Sequence, residues 1–243
     1  MGLFRIEKIP TGVEVEKIFN TDLFDTNDEG EWNEESAKRL KEPAWEQRYE
    51  YESEILKSII DTSLNNGFEI KSVLELGSGP GNLSQKILKN YPNLEYHLVD
   101  KPLAKTYFED NNFKGKFFVK DLSMDFNTDG LLPKYDLVIT NDFLEHVLNP
   151  SIIVQKIYDL THKDSTYFIS NPNWRMGHQF IYRGLFDYDN LIYFLYVHKF
   201  RPYGMVGSPL RTPTYPRISS ESLLSDEDLT SWNHYIAFKH REL

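Results

Sequence analysis

A carboxylate, three alternating glycines and a second carboxylate carry the most specific chemistry this sequence offers. Glu75 stands two positions ahead of Gly77, Gly79 and Gly81, and Asp100 follows Gly81 by 19 residues. Glycines at such positions let the chain turn at positive φ and let a ligand approach without meeting a Cβ. A helix opening just after them presents unpaired N–H groups and the positive end of its dipole. Dinucleotide enzymes hold pyrophosphate in a comparable loop, but with Gly-x-Gly-x-x-Gly spacing. Here the spacing is Gly-x-Gly-x-Gly, and Glu75 suits a cationic ammonium better than a pyrophosphate. No Gly-Lys-Ser/Thr follows, which excludes a P-loop. Asp100 falls where a strand-end carboxylate accepts both hydroxyls of a ribose.

The elements that must position these residues follow from periodicity. Ser72 to Leu76 reads as a short buried strand and Asn82 to Leu88 as a helix. Strands follow at Leu94–Val99, Lys116–Lys120, Tyr135–Thr140 and Thr166–Ser170, with helices at Pro102–Asp110 and Ser151–Leu160. Apolar strands alternating with helices predict a mostly parallel sheet covered on both faces, with ligands at the carboxyl ends of its strands. Ahead of this core, a helical pattern runs from Asn33 to about Leu64, interrupted at Pro43 and stopped by Asn65-Asn66-Gly67. Trp232–Lys239 reads as a final strand.

Residues 172–218 break the alternation. They are rich in aromatic residues and carry Arg175, Arg183, Lys199, Arg201, Arg211 and Arg217 against only Asp187 and Asp189. The arginines fit either an anion-binding surface or scattered surface charge, and the aromatics predict a helical insertion whose rings form a small core of its own. The boundaries are thus one domain over 1–243, with an N-terminal helical extension (1–65), a cofactor-binding core (66–171), a substrate lid (172–218) and a C-terminal strand region (219–243).

Composition narrows the classes. The chain has 243 residues, a net charge of −10 and no cysteine. Thiolate metal sites, disulfides and cysteine nucleophiles are excluded. The acidic balance argues against nucleic acid or an anionic membrane as partner, and no apolar run approaches the ~20 residues of a membrane span. These features suit a cytoplasmic protein.

From Val73 to Asn173 the sequence resembles the class I methyltransferases, which bind S-adenosylmethionine on a Rossmann-like fold. The resemblance implies a three-layer α/β fold with a mostly parallel seven-stranded sheet and an antiparallel last strand. It implies that Glu75, Gly77, Ser78, Gly79 and Gly81 hold the methionine part of S-adenosylmethionine, and that Asp100 binds its ribose. By the same resemblance Lys101 and Pro102 line the adenine, Asp121 and Leu122 sit at its amino group, and Asn141 lies under the sulfonium. The segment Asn141-Asp142-Phe143-Leu144-Glu145-His146-Val147 is similar to the ubiquinone-biosynthesis type of small-molecule methyltransferase. Asn171-Pro172-Asn173 matches a Pro-Asn turn of that group, and Val197-His198-Lys199-Phe200 a His-x-x-Phe stretch.

Methyl transfer needs in-line approach of a nucleophile, so much of its rate comes from positioning the acceptor and excluding water. A hydroxyl acceptor also gains from a base. His146 is the candidate, with Asp142 second; a His146 that caps a helix or only contacts cofactor fits nearly as well. Arg175, Arg183, His198 and Arg201 are candidate acceptor-binding residues. The expected partner is a small-molecule acceptor, O- or N-methylated, anionic, aromatic or a sugar. Two rival readings stay open. Asp142, Glu145 and His146 also resemble the divalent-metal site of small-RNA 3′-end methyltransferases, although no metal is expected here. The fold could also serve as a non-catalytic binding protein.

Overall fold

A computed structural model of the chain describes residues 5–6, 43–122, 125–144, 147, 149–172, 182–183, 188–208, 217–218 and 232–239. They fall into two compact units, residues 10–122 and residues 1–9 with 123–243.

In the first unit, helix α1 (Pro43–Asn65) precedes β1 (Ser72–Leu76), α2 (Asn82–Asn90), β2 (Glu95–Asp100), α3 (Pro102–Asp110) and β3 (Lys116–Val119). The strands run parallel in the order β3-β2-β1, with Val73 opposite Tyr96 and Asp100 opposite Val119. Val73, Leu74, Leu76, Leu98 and Val99 are fully buried. Such burial contributes about 1.5–3 kcal/mol for each large apolar side chain. Gly67, at φ 81°, ends α1 where Asn65-Asn66-Gly67 predicts a stop: its N–H bonds to Leu64 O, and the Phe68 N–H to Ser63 O. The stretch 33–42, expected to be helical, lies outside the described residues.

Helix α1 packs on α2. Leu56 and Ile60 are buried on its inner face, while Lys86 of α2 pairs with Glu46 and Glu50. The Tyr91 hydroxyl just after α2 donates to Asp61 at 2.7 Å. The helix that follows the glycine loop is thereby fixed from outside.

The second unit contains β4 (Tyr135–Asn141), α4 (Pro150–Asp159), β5 (Thr161–Pro172), α5 (Tyr188–Val197), β6 (Phe200–Ser208) and β7 (Trp232–Lys239). Strand β4 runs parallel to β5, and β7 is antiparallel to both β5 and β6. Residues 217–218 add a two-residue edge to β6, and Arg5–Ile6 pairs with Tyr182–Arg183. Asn149 accepts from the Ile152 N–H and Pro150 occupies the first turn, a combination that starts α4 sharply.

Two elements extend beyond their expected bounds. Strand β5 starts at Thr161 instead of Thr166, because polar contacts rather than apolar alternation hold its first turn of chain. His162 Nε2 pairs with Asp136 at 2.8 Å, and the Ser165 hydroxyl accepts from His162 N–H and donates to Tyr135 O. The 172–218 stretch, expected to be a helical insertion, is helical at Tyr188–Val197 but forms a strand at Phe200–Ser208, where the chain pairs along Trp232–Lys239. Pro202 removes one ladder donor, and the register slips beside it between Ile236 and Ala237.

Candidate functional site

Strand β1 buries Glu75 among Leu74 and Leu76, with 1% of its surface exposed. A lone carboxylate there would be strongly destabilised, and its Oε2 accepts from the Tyr96 hydroxyl at 2.8 Å. Burial raises the Glu75 carboxyl to about 8 despite that bond, with the charges of Glu52 and Asp100 adding to the rise. Glu52 is itself fully buried on α1, and its Oε1 accepts from Arg48 Nε at 2.8 Å. Burial and the neighbouring Glu75 carboxylate likewise hold the Tyr96 hydroxyl well above its usual range.

The loop after β1 is built against β2. The Gly77 N–H bonds to Val99 O at 2.9 Å, and the Ser78 N–H to the same oxygen at 3.3 Å. Gly77, Gly79 and Gly81 adopt φ of 69°, 52° and 90°. Gly79 faces open space where a Cβ would stand, whereas at Gly81 a Cβ would meet Leu98 at 3.0 Å, Phe108 at 3.1 Å and Ser84 Oγ at 3.2 Å. One glycine thus keeps room beside the loop, and the other lets helix and strand close together. Gly81 also caps α2 without a side chain, and the Ser84 hydroxyl donates back to its carbonyl at 2.7 Å.

Asp100 ends β2 with 3% of its surface exposed. Its Oδ2 accepts from the Gly79 N–H at 2.6 Å and its Oδ1 from the Lys101 N–H at 2.7 Å. Two backbone donors fix the plane of the carboxylate and tie the loop to the strand end. Lys101 and Pro102 open α3 directly beyond, with Pro102 in the first turn. The Lys120 N–H bonds to Asp100 O at 3.1 Å, which sets the exposed Asp121 and the buried Leu122 just past the same strand end.

This unit therefore gathers Glu75, Ser78, the three glycines, Asp100, Lys101, Pro102, Asp121 and Leu122 around one set of strand ends. The donor set fits S-adenosylmethionine. A buried carboxyl that stays protonated until a cation arrives matches an ammonium, an oriented carboxylate matches a ribose, and the space at Gly79 admits a ligand against the backbone.

In the second unit, Asn141 ends β4, half-buried, and Asp142 follows at φ 46° with its N–H on Ser170 O at 2.9 Å. His198 lies just after α5, where its Nε2 meets the Ser151 hydroxyl at 2.6 Å and its ring stands edge-on to Phe194. Burial pushes its pKa below the usual value. Arg201 is exposed on β6, opposite Phe238 of β7. Glu145, His146 and Arg175 lie outside the described residues, and Arg183 is described only as backbone paired with Arg5.

Tyr96, Arg48 and Glu52 escaped the sequence reading. Their signal was present: a glutamate between two leucines on a buried strand requires a donor. Tyr96, opposite Val73 in a parallel register, has the same side-chain parity as Glu75.

Residues 44–240 match the model of a family described as a methyltransferase domain. The chain belongs to that family. An (S)-coclaurine N-methyltransferase from Thalictrum flavum subsp. glaucum is 26% identical over 102 residues, which are 41% of this chain and 28% of that enzyme. The match spans less than a third of that relative's length. Among solved structures, the plantazolicin methyltransferase BpumL in complex with SAH superposes with a TM-score of 0.59 at 16% identity, covering 94% of this chain and 96% of that one. An S-adenosylmethionine-dependent methyltransferase from Clostridium acetobutylicum gives 0.58 at 11% identity, covering 85% and 98%. The shared fold is the Rossmann-like methyltransferase fold, mostly parallel with an antiparallel last strand. S-adenosylmethionine is the cofactor that this family membership and the geometry around Glu75 and Asp100 both support. No helix among the described residues is long and apolar enough to cross a membrane.

Proposed function

We propose that the protein transfers a methyl group from S-adenosylmethionine to a small-molecule acceptor, at oxygen or nitrogen. The observation that carries this reading is the pairing of a buried, raised-pKa Glu75 with an Asp100 locked to the Gly79 and Lys101 amides. Glu75 would take the cofactor's ammonium and Asp100 its ribose hydroxyls. The backbone of Gly77, Ser78, Gly79 and Gly81 would follow the methionine chain. Lys101, Pro102 and Leu122 would flank the adenine, with Asp121 at its amino group and Asn141 under the sulfonium. When bound, the cofactor supplies an activated methyl group and a good leaving group.

The chain's own part is to hold the acceptor in line, keep water out and remove one proton. His146 is assigned as the base that takes the acceptor's proton as the new bond to carbon forms, with Asp142, four residues earlier, as the second candidate. Arg175, Arg183, His198 and Arg201 are assigned to the acceptor, which favours an anionic or aromatic metabolite or a sugar. The coclaurine and plantazolicin enzymes, whose names give small-molecule acceptors, support the class. The test is transfer of labelled methyl to a panel of hydroxylated and amino metabolites. Transfer that survives chelator and needs no RNA supports the reading, and transfer only to an RNA end in the presence of a divalent ion overturns it.

A further inference from the structure

Asn171 is 1% exposed, and neither its Nδ2 nor its Oδ1 has a hydrogen-bond partner among the described residues. Buried side-chain amides almost always bond to backbone, side chain or water, and each unmade bond is costly. An apolar side chain there would carry no such cost. The amide also occupies a telling position. It lies one residue from the carboxyl end of β5, directly after Ser170, which pairs with Asn141 and accepts the Asp142 N–H. Carboxyl ends of strands are where open α/β sheets take their ligands.

We infer that Asn171 is a recognition residue for the methyl acceptor, reserved for a neutral group that presents an N–H beside a C=O. The chemistry selects that class. The two unsatisfied atoms are one donor and one acceptor on a single planar amide. A carboxylate would satisfy Nδ2 and repel Oδ1, and an ammonium would do the reverse. A single hydroxyl spans both atoms only with poor angles. An amide or lactam edge meets both in parallel. This inference rests on the methyltransferase reading and adds a specificity to it.

The test uses the full chain saturated with S-adenosylhomocysteine, with benzamide, benzoate and benzylamine as probes of one ring carrying three edges. Benzamide binds, and the other two bind about tenfold more weakly or worse, as the loss of one or two paired bonds requires. Asn171→Leu abolishes the preference and leaves S-adenosylhomocysteine affinity unchanged. Asn171→Ala, which adds no volume, repeats the binding comparison should leucine be poorly accommodated. Equal binding of the three probes, or no benzamide binding, overturns the inference while S-adenosylhomocysteine still binds. Failure to bind S-adenosylhomocysteine overturns the methyltransferase reading itself.

Discussion

The Tyr96 hydroxyl donates to Glu75 Oε2 at 2.8 Å, and both side chains are buried. One donor is too little for a carboxylate so deep in the protein, and its pKa rises to about 8. The folded chain therefore keeps a proton on Glu75 that the unfolded chain releases near pH 4.5. Stability from this group is fully present below that pH and declines as pH climbs toward 8. Each unit of the shift is worth about 1.4 kcal/mol. Glu75→Gln removes the penalty. Thermal melts between about pH 5 and 9 are expected to show the wild type losing ground to Glu75→Gln as pH rises, with S-adenosylhomocysteine restoring only the wild type. Parallel pH profiles of the two proteins would show that Glu75 does not titrate in this range.

Asp100 supports a second expectation. Its two oxygens accept the Gly79 and Lys101 N–H groups, so Asp100→Asn turns an amide NH₂ toward one of those donors. Affinity for S-adenosylhomocysteine falls about 10- to 100-fold, in line with charged hydrogen bonds lost. Calorimetric titration of the variant measures this, and an unchanged Kd would remove Asp100 from the site.

The glycines separate binding from folding. Gly79 and Gly81 both sit at positive φ, where a side chain costs about 1–2 kcal/mol. Only Gly81 adds crowding, against Leu98, Phe108 and Ser84. Gly81→Ala is expected to melt clearly lower than Gly79→Ala. Gly79→Ala, whose methyl group enters the space kept for ligand, loses cofactor binding with the smaller loss of stability. The reverse ranking in paired melts and titrations would contradict this division of labour.

The base assignment has a kinetic signature. His146→Ala slows turnover about 10²- to 10⁴-fold with S-adenosylhomocysteine affinity unchanged, and flattens the acidic limb of the kcat profile. Chelator leaves wild-type activity intact. A His146→Ala enzyme with the wild-type rate and pH profile would make the histidine a bystander.

How much of this was legible in the residues alone varies by element. Ser72–Leu76, Pro102–Asp110 and Trp232–Lys239 have the expected bounds because glycine, proline and apolar runs punctuate them. The start of β5 was hidden because a His162–Asp136 pair and the Ser165 hydroxyl hold it, and such contacts leave no periodicity. The glycine loop and Asp100 were readable since their spacing is set by one strand–turn–helix unit. Tyr96 and the Arg48–Glu52 pair were not, because their meaning depends on which strand and helix lie beside Glu75. Asn171 reads as part of an ordinary turn motif until its burial and unpaired amide are seen.

Calorimetric titration of the wild-type chain with S-adenosylhomocysteine below pH 8, in buffers of differing ionisation enthalpy, tests the central claim most directly. The account predicts saturable one-to-one binding with release of a proton from Glu75 as the ammonium enters, and neither effect in Glu75→Gln. Absence of binding to the wild type, or equal binding and proton release in Glu75→Gln, would contradict it.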